Sequence, residues 1–463
     1  MSLDAEDQVG AGGAVSRAGV VFSHADPTGV GFVELGLPLV LRLPDEESWL
    51  ADCRDGLVFV RLHDEPLGFA RVVGARGALS SEQIAAAIWQ ELAGAIGEHC
   101  ARFGCGEPAS SVEQLVAGLG SPAGGCRGAL STSDTPVTVV IPTASRAVKL
   151  ERCLESLCDL RYPSFDVIVV DNHPHVPGSE DVVRAFNDRL TVRYIPEPRP
   201  GSSVARNRGL VEASSEIVAF ADDDAVVDAN WLGWLVEPFT DPEVVGVGGM
   251  ILPLELHNET QKVLEHYYGG GVARDFARRV YDLGPNRASD RFLYPYWGAM
   301  FGSGPSMAFR RGALLDVGAL DPALGAGSPA RAGEDIEAFT AVILHGGRVV
   351  HQPRAICWHE HTEDMTYLRG QLFNFAAGLT AISVKYLRDP RFLAAAARSI
   401  PYLFGRRRTT VTPLDADIVP LPMHRELVRA THTGLFKGPL LYARSRRWAR
   451  RQNLYDVIKL PPE

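Results

Sequence analysis

The central part of the chain alternates short, continuously apolar runs with stretches of helical periodicity. The apolar runs predict buried parallel strands over 137–142, 165–172, 191–196, 216–224 and 244–249. The stretches between them predict helices over 147–160, 179–189 and 201–213. Strands that alternate with helices imply right-handed βαβ units and a doubly wound α/β sheet. Ligands in such sheets bind at the carboxyl ends of the strands, so the polar residues there are the first candidates for chemistry.

The segment before this region has a different pattern. Residues 30–75 alternate apolar and polar positions as strands do, first over VELGLPLVLRL and then over GLVFVRLHDEPLGFARVV, where DEPLG predicts the turn between two strands. Residues 80–103 predict a helix, because a serine cap precedes apolar residues spaced three and four apart. We identify no chemistry in this small α+β unit.

Changes in composition predict the boundaries between domains. We expect residues 1–20 to be disordered, 21–116 to form the small α+β domain, and the Gly/Ser/Pro-rich stretch 117–135 to be a linker. The α/β domain is then expected over 136–385. A basic, largely helical extension is expected over 386–463.

Composition and charge restrict the partners. The chain has 463 residues, of which 46% are hydrophobic and 22% charged, which excludes wholesale disorder. The formal charge of −10 argues against nucleic acid as a partner. Residues 385–463 differ from this average, with 16 Lys and Arg against 6 Asp and Glu. The basic stretches 406–408 and 440–451 fit either an anionic membrane surface or a solvated face that packs on the acidic central domain.

The cysteines and the apolar runs indicate the compartment. The seven cysteines are scattered and include no CxxC pair, so neither a disulfide framework nor a zinc site is indicated. The amino terminus, MSLDAEDQVGAGG, lacks the pattern of a signal peptide, and no run reaches the ~18 apolar residues of a membrane span. We therefore expect a cytoplasmic protein, with peripheral contact at the inner face of the membrane left open.

The fourth predicted strand of the α/β domain runs into three adjacent acids, Asp222, Asp223 and Asp224. Neighbouring carboxylates repel one another and are costly to desolvate unless a cation lies between them. Mg²⁺ and Mn²⁺ prefer oxygen ligands and bridge to substrate phosphates. A solvated acidic loop is the alternative, but the position of the triplet at a strand end favours a metal.

Four segments of the chain together are similar to a known family. In their order and spacing, VTVVIPTASR, VIVVDN, RPGSSVARNRGL and EIVAFADDDAVVDANWL resemble the nucleotide-binding half of glycosyltransferase family 2 enzymes with the GT-A fold. The resemblance covers about residues 136–385. It implies a Rossmann-like mixed central sheet flanked by helices. It also implies inverting transfer of a sugar from a nucleoside-diphosphate-sugar donor, with a UDP-sugar expected first, assisted by Mn²⁺ or Mg²⁺.

The resemblance assigns the donor side of the site position by position. Thr143 and Asp171 match residues that hold the base and the ribose, and Arg206 matches a contact on the nucleotide side. Asp222 and Asp224 bracket the family's DxD motif, which implies Asp224 on the metal and Asp222 nearer the ribose. The nucleotide-sugar-binding residues implied are Pro142, Thr143, Arg146, Asp171, Arg206, Asp222, Asp223 and Gly304.

The acceptor side is implied by the later part of the matched region. The segment Gly333-Glu334-Asp335-Ile336-Glu337 resembles the family's ED motif at the start of a helix. This implies Asp335 as the general base for the acceptor hydroxyl and Glu334 as the residue that orients the acceptor. Ordinary acids at a helix amino terminus are the alternative. Trp297 is expected on the acceptor side, with core packing as its alternative.

The segment Cys357-Trp-His359-Glu-His361 follows a strand predicted over 348–356. A histidine at this place often completes the metal site in the family, and imidazole is a suitable ligand for Mn²⁺. The expected metal ligands are therefore Asp222, Asp224 and His359. His361 is the alternative to His359, and a buried structural histidine is the alternative to both.

The acceptor and the activity itself have alternatives. A glycan, a lipid-linked intermediate, a peptide and a small molecule all remain open as acceptors. The QxxRW signature of processive synthases is absent, so one sugar per encounter is expected. A non-catalytic sugar-nucleotide or glycan-binding module is one alternative function. A nucleotidyltransferase is another, although it expects a glycine- and lysine-rich loop where this chain has PTASR.

Overall fold

The computed structural model describes most of the chain. The described residues are 27–49, 53–73, 79–105, 107–120, 134–268, 275–288, 291–403 and 425–459. Three predictions lie wholly or mainly outside them: the disorder of residues 1–20, most of the linker, and the basic stretch 406–408.

A small α+β unit precedes the central sheet. Its elements are β1 (Thr28–Glu34), β2 (Asp55–Leu62), β3 (Glu65–Val73), α1 (Ser81–Phe103) and α2 (Val112–Ala117). β1 pairs with β2 in parallel, and β2 and β3 form an antiparallel hairpin. The predicted helix is confirmed, together with its cap, because Ser80 and Gln83 form a capping box at the start of α1. Ile84, Ile88 and Ile96 of α1 belong to the apolar core shared with the sheet.

Two details of this unit differ from the prediction. The hairpin turn is not DEPLG but His63-Asp64, since Glu65 already belongs to β3. Both turn residues have left-handed φ angles, 54° and 65°, as a two-residue hairpin whose twist matches its strands requires. The strand predicted over VELGLPLVLRL is also wrong, because β1 ends at Glu34, where the side chain accepts a hydrogen bond from the Gly36 amide and starts a turn.

Within the part of the chain that the structure describes, the central sheet has nine strands in the order β10-β12-β9-β11-β7-β4-β5-β6, with β8 paired to β12. They are β4 (Val137–Thr143), β5 (Phe165–Asp171), β6 (Val192–Pro196), β7 (Ile217–Phe220), β8 (Ala225–Val227), β9 (Val244–Pro253), β10 (Arg279–Tyr281), β11 (Met307–Arg310) and β12 (Arg348–His359). Strands β4 to β7 are parallel, as predicted. The strand predicted over 244–249 is confirmed as part of β9, which pairs in parallel with β12, but β11 lies antiparallel between β7 and β9. The mixed central sheet that the resemblance implied is therefore confirmed.

Helices cover both faces of this sheet. They are α3 (Ala147–Cys158), α4 (Ser179–Ala185), α5 (Ser202–Glu212), α6 (Trp231–Val236), α7 (Glu259–Tyr268), α8 (Arg311–Asp316), α9 (Glu334–Leu344) and α10 (Met365–Lys385). Alternate residues of one strand enter two different cores: Val139 packs with Leu154 of α3, and Val140 packs with Leu210 of α5. Because both faces are buried, the strands are continuously apolar, which is the pattern that revealed them.

The small unit packs directly on the central sheet. The Arg61 guanidinium donates to Asp228 at 2.8 Å, and both side chains are buried. Phe32 of β1 lies 5.1 Å from the ring of Trp358 in β12, measured between ring centroids. A charged contact and an apolar one therefore fix the small unit beside the strand that ends at His359.

The basic extension is helical where the structure describes it, as α11 (Pro390–Leu403) and α12 (Arg425–Arg451). α12 lies against α10, where Gly434 and Gly438 allow close approach to the α10 backbone. Tyr442 donates from its hydroxyl to Asp321 at 3.0 Å. Among the described residues, no helix combines the length and the apolar character needed to cross a membrane.

Candidate active site

The acidic triplet lies in the turn that joins β7 to β8. Because β8 pairs with the last residues of β12, His359 is brought opposite Ala225, next to Asp224. Nε2 of His359 lies 3.1 Å from Oδ1 of Asp224. One donor atom from each of Asp222, Asp224 and His359 lies within 4.8 Å of the other two. The geometry therefore brings together the three predicted ligands at the carboxyl end of the sheet.

Asp224 and His359 change each other's protonation. Burial alone would raise the pKa of Asp224, but the neighbouring His359 and Arg146 lower it well below its usual range. Burial alone would lower the pKa of His359, but the charge of Asp224 raises it. The carboxylate of Asp224 is therefore ionised. A positive charge beside it is favoured, and either a protonated His359 or a metal ion can supply that charge.

Asp223 faces away from this cluster, toward the end of β4. Its Oδ2 accepts from the Thr143 hydroxyl at 2.7 Å, and its Oδ1 accepts from Nη1 of Arg146 at 3.1 Å. The same guanidinium nitrogen reaches Oδ2 of Asp224 at 2.9 Å. Burial, followed by the charge of Asp224, raises the pKa of Asp223 to about 6. The middle acid of the triplet thus connects two predicted donor-side residues.

Arg206 joins the acidic triplet to the start of α9. Its guanidinium is buried, with Nη2 2.6 Å from Asp222 Oδ1 and Nη1 2.8 Å from Glu334 Oε1. Ser202 also donates to Glu334, at 2.8 Å. Burial raises the pKa of Glu334, and the nearby charge of Asp335 adds to this, while Arg206 opposes both. Glu334 is thus held by Arg206 and Ser202 in a buried network.

Asp335 is held by the loop that precedes β11. Its Oδ2 accepts from the Ser303 hydroxyl at 2.8 Å and from the Gly304 amide at 2.9 Å, and its Oδ1 accepts from the Ile336 amide at 2.8 Å. Gly304 also lies against Arg206, where a Cβ would be 2.7 Å from Nη2. Glycine at this position therefore lets the loop approach Arg206 and Asp335 together.

The remaining predicted residues lie in three places. Pro142 and Thr143 end β4, where Thr143 is in register with Asp171 of β5. Asp171 is buried, and it accepts from the Tyr194 hydroxyl and the His173 amide, each at 2.9 Å. Trp297 packs edge-on against Phe292 and donates to the Ser383 hydroxyl at 3.1 Å. Its contacts are those of a packed aromatic residue, which was the alternative to its acceptor-side role.

The two candidate histidines differ in their partners. His361 is buried, and its Nε2 lies 3.2 Å from Oε2 of Glu265 in α7. His359 faces Asp224, so the structure places His359 and not His361 beside the acidic triplet.

A cleft of about 660 Å³ opens beside Asp224 and His359. A cavity of this size accommodates a ligand as large as a sugar nucleotide. Its walls come from α3, the segment after β12, the start of α10 and Glu47 of the small unit. The lining residues that the sequence did not single out include Lys149 and Arg152, which both form ion pairs with a third lining residue, Glu360.

Two further side chains of the site were not predicted. Ser202 and Ser303 position Glu334 and Asp335 respectively. Ser202 stands within the RPGSSVARNRGL segment, and Ser303 directly precedes Gly304, which is among the predicted donor-side residues. Their contacts depend on the approach of two distant segments, which sequence alone does not show.

The donor set fits a divalent cation. Two carboxylates and one imidazole nitrogen form a hard-to-borderline set that suits Mn²⁺ or Mg²⁺. The ionised state of Asp224 and the position of His359 Nε2 both favour positive charge at this point.

The fold and the site define a mixed α/β domain that carries a cluster of acids at the carboxyl ends of its strands. Residues 138–318 match the family model described as Glycosyl transferase family 2. This match over the central part of the chain confirms the resemblance found in the sequence.

Relatives with assigned names are similar to part of the chain. The pre-mycofactocin glycosyltransferase of Mycobacterium tuberculosis is 31% identical over 230 residues, which are 50% of this chain and 43% of the relative. Glycosyltransferase AglE of Haloferax volcanii is 33% identical over 126 residues, 26% of this chain and 41% of that protein. The matched regions span less than half of the length of these relatives.

Solved structures also align with the chain. A mannosyltransferase from Pyrobaculum calidifontis, in complex with GDP-Man and Mn²⁺, covers 72% of this chain and 90% of its own, with 21% identity and a TM-score of 0.42. Staphylococcus aureus TarS 1-349, in complex with UDP-GlcNAc, covers 70% of this chain and 91% of its own, with 15% identity and a TM-score of 0.41.

Proposed function

We propose that this protein is a metal-dependent, inverting glycosyltransferase that moves one sugar per encounter from a nucleoside-diphosphate-sugar donor to an acceptor hydroxyl. The observation that carries the proposal is the convergence of Asp222, Asp224 and His359 at the strand ends. Asp335 follows Glu334, which Arg206 links to Asp222, and its Oδ2 accepts from the Gly304 amide. One group of residues thus suits a diphosphate, and a separate carboxylate suits an attacking hydroxyl.

Asp222, Asp224 and His359 would hold Mn²⁺ or Mg²⁺, whose charge would neutralise the departing diphosphate. Arg146 is 43% exposed and forms ion pairs with Asp223 and Asp224. We expect its guanidinium to turn from these carboxylates to the diphosphate when the donor binds. Thr143 and Asp171 lie together at the ends of β4 and β5, where the nucleoside of the donor would bind.

Asp335 is the proposed general base. Its carboxylate takes the proton of the acceptor hydroxyl while that oxygen bonds to the anomeric carbon and the bond to the diphosphate breaks. The hydrogen bonds from Ser303 and Gly304 hold its Oδ2 in place before the acceptor arrives. Because attack comes from the face opposite the leaving group, the product has the inverted configuration.

The experiment that tests this proposal needs no knowledge of the acceptor. The full-length protein is incubated with a panel of UDP-, GDP- and dTDP-sugars plus Mn²⁺, and release of free nucleoside diphosphate is measured, with water as the acceptor. We expect release with one class of donor, loss of release in EDTA, and recovery when Mn²⁺ or Mg²⁺ is added in excess. Asp224→Asn is expected to abolish release, while Asp188→Asn, an exposed acid after α4, leaves it unchanged. Full release in EDTA would contradict the metal site.

A second part of the proposal concerns the C-terminal helix. One face of α12 exposes Phe436 and Leu440, and the exposed Arg447 and Arg451 follow on the same side at helical spacing. This arrangement suits peripheral contact with an anionic membrane surface. Co-sedimentation with vesicles tests it: we expect binding to vesicles that contain phosphatidylglycerol, weaker binding at high salt, and loss of binding in Phe436→Glu. Equal binding to neutral vesicles would contradict it.

A further inference from the structure

Three side chains of the types that ligate metals converge in the small α+β unit, far from the acidic triplet in sequence. His63 lies in the β2–β3 turn, His99 lies near the end of α1, and Cys105 follows that helix. Nδ1 of His63 lies 3.2 Å from Nε2 of His99. Sγ of Cys105 lies 3.5 Å from the first of these nitrogens and 3.4 Å from the second.

These separations match the edges of a tetrahedral zinc site. With Zn–N bonds of about 2.05 Å and Zn–S bonds of about 2.3 Å, two ligand nitrogens lie about 3.3 Å apart and a nitrogen and a sulfur about 3.6 Å apart. The three observed distances all fall within about 0.2 Å of these values. The donor atoms are thus already spaced for a common central ion.

The tautomer of His63 directs its lone pair into the cluster. Nε2 of His63 lies 2.8 Å from the carbonyl oxygen of Gly120, which can only accept a hydrogen bond. Nε2 therefore carries the proton, and Nδ1 presents a lone pair to His99 and Cys105. A backbone carbonyl that orients the second ring nitrogen is the usual outer partner of a metal-ligating histidine.

The local backbone explains how Cys105 reaches the two histidines. Gly104 caps α1 in the left-handed conformation, with φ of 67°, and reverses the chain directly before Cys105. His63 occupies its turn with a φ of 54°. His63 and Cys105 are both partly exposed, which leaves an entry path for an ion, whereas His99 is buried.

We propose that His63 Nδ1, His99 Nε2 and Cys105 Sγ form a zinc site, with the fourth position taken by water or an exogenous ligand. On binding, the Cys105 thiol loses its proton to solvent and the thiolate bonds to the ion. The mixed N/S set is softer than the Asp222–Asp224–His359 set, so the two sites select different metals. The sequence did not indicate this site, because it lacks a CxxC pair.

Co²⁺ is the probe for the ligand set, because it takes zinc's place and reports a bound thiolate by absorption. The full-length protein is treated with EDTA, dialysed and titrated with Co²⁺. We expect a thiolate-to-Co²⁺ charge-transfer band in the near ultraviolet and visible bands of tetrahedral intensity, both removed by one equivalent of Zn²⁺. The carboxylate and imidazole ligands of the other site cannot give the thiolate band. A titration of wild-type protein with no such band would overturn the proposal.

Cys105→Ser tests the same proposal by affinity. We expect it to weaken Zn²⁺ binding, measured by competition with a chromophoric chelator, on the order of 100-fold, since it removes a ligand and not merely an outer partner. Cys158→Ser is the matched control, a partly buried thiol of α3 in the other domain. Asp224→Asn should leave Zn²⁺ binding at the cysteine site unchanged. Equal Zn²⁺ affinity in Cys105→Ser and Cys158→Ser would overturn the proposal, and circular dichroism verifies that both variants are folded.

Discussion

Nε2 of His359 lies 3.1 Å from Oδ1 of Asp224, although His359 ends β12 and Asp224 follows β7. The pairing of β8 with β12 creates this contact, because it places His359 opposite Ala225. The short strand β8 therefore brings an imidazole beside the acidic turn, so that carboxylates and imidazole form one cluster. His361, only two residues further on, is directed to Glu265 instead.

The two histidines should therefore respond differently to the same substitution. We expect His359→Gln to raise the Mn²⁺ concentration needed for half-maximal nucleoside diphosphate release on the order of 10–100-fold, with little change in thermal stability. His361→Gln should instead lower the melting temperature, because it replaces a buried group that contacts Glu265. Metal titrations and thermal unfolding of both variants distinguish the roles. A greater loss of Mn²⁺ affinity in His361→Gln than in His359→Gln would mean that His361 is the metal ligand.

Arg206 is expected to be essential to the structure of the site. Its removal leaves the buried Glu334 and the partly exposed Asp222 without their shared cation, so Arg206→Ala should lower the free energy of unfolding by about 3–5 kcal/mol. Arg189→Ala removes an arginine from an exposed, solvent-screened ion pair with Glu155 and should lower it far less. Urea denaturation of both variants measures the difference. Similar losses would show that the buried network contributes no more than a surface pair.

Much of this fold could be predicted because burial on both faces of a sheet leaves a visible signal. The runs around Val139 and Ile168 are continuously apolar, and the acids that follow β7 break that pattern at one point. The succession of strands β4 to β7 along the chain, with helices between them, follows from local sequence. The ED pair at the start of α9 was likewise found by its position in a motif.

The rest depended on pairings that leave little trace in the sequence. β8 and β11 have three and four residues, too few for periodicity to define, yet β8 places His359 and β11 makes the sheet mixed. Likewise, His63 and His99 stand 36 residues apart and meet only because the hairpin packs against α1. The preference of Asp223 for Arg146 and Thr143 depends on side-chain direction within a turn, which sequence spacing does not fix.

The contact between α10 and α12 offers a prediction with an internal control. A Cβ at Gly438 would overlap the Thr380 hydroxyl and the Ala377 carbonyl, so Gly438→Ala must separate the helices and should cost about 1–3 kcal/mol. Gly370 also lies in a helix, but a Cβ there meets nothing within 4 Å. Gly370→Ala should therefore stabilise the protein by about 0.5–1 kcal/mol. Changes of the same sign in the two variants would contradict the close packing of α12.

Glu255 provides a prediction about pH. Burial, followed by the charges of Glu360 and Glu363, raises its pKa to about 7 from 4.5. Between these values the folded state keeps a proton that the unfolded state has released, so stability falls as pH rises through this window. Glu255→Gln removes the free-energy cost of ionising this buried carboxyl. It keeps an acceptor for Gln261, which donates to Glu255 at 2.8 Å.

We therefore expect Glu255→Gln to match the wild type at pH 4 and to be more stable at pH 8. The gain should be about 1 kcal/mol, since partial solvent access reduces the full effect of the shift. Urea denaturation at both pH values, in EDTA, is the measurement. Glu151→Gln, at an exposed position of α3, should show no such dependence. A constant difference across the pH range would mean that Glu255 is ionised throughout.

Asp335→Asn should separate chemistry from binding. The substitution keeps an oxygen that can accept from Ser303 and Gly304, but it removes the carboxylate that takes the acceptor proton. We expect turnover to fall by about 10²–10⁴, while the affinity for the donor, measured by calorimetry, stays within about threefold. Asp188→Asn is the control for the loss of one negative charge. If Asp335→Asn retained wild-type turnover, proton transfer would have to go elsewhere, and Glu334, already bound by Arg206 and Ser202, would be the next residue to test.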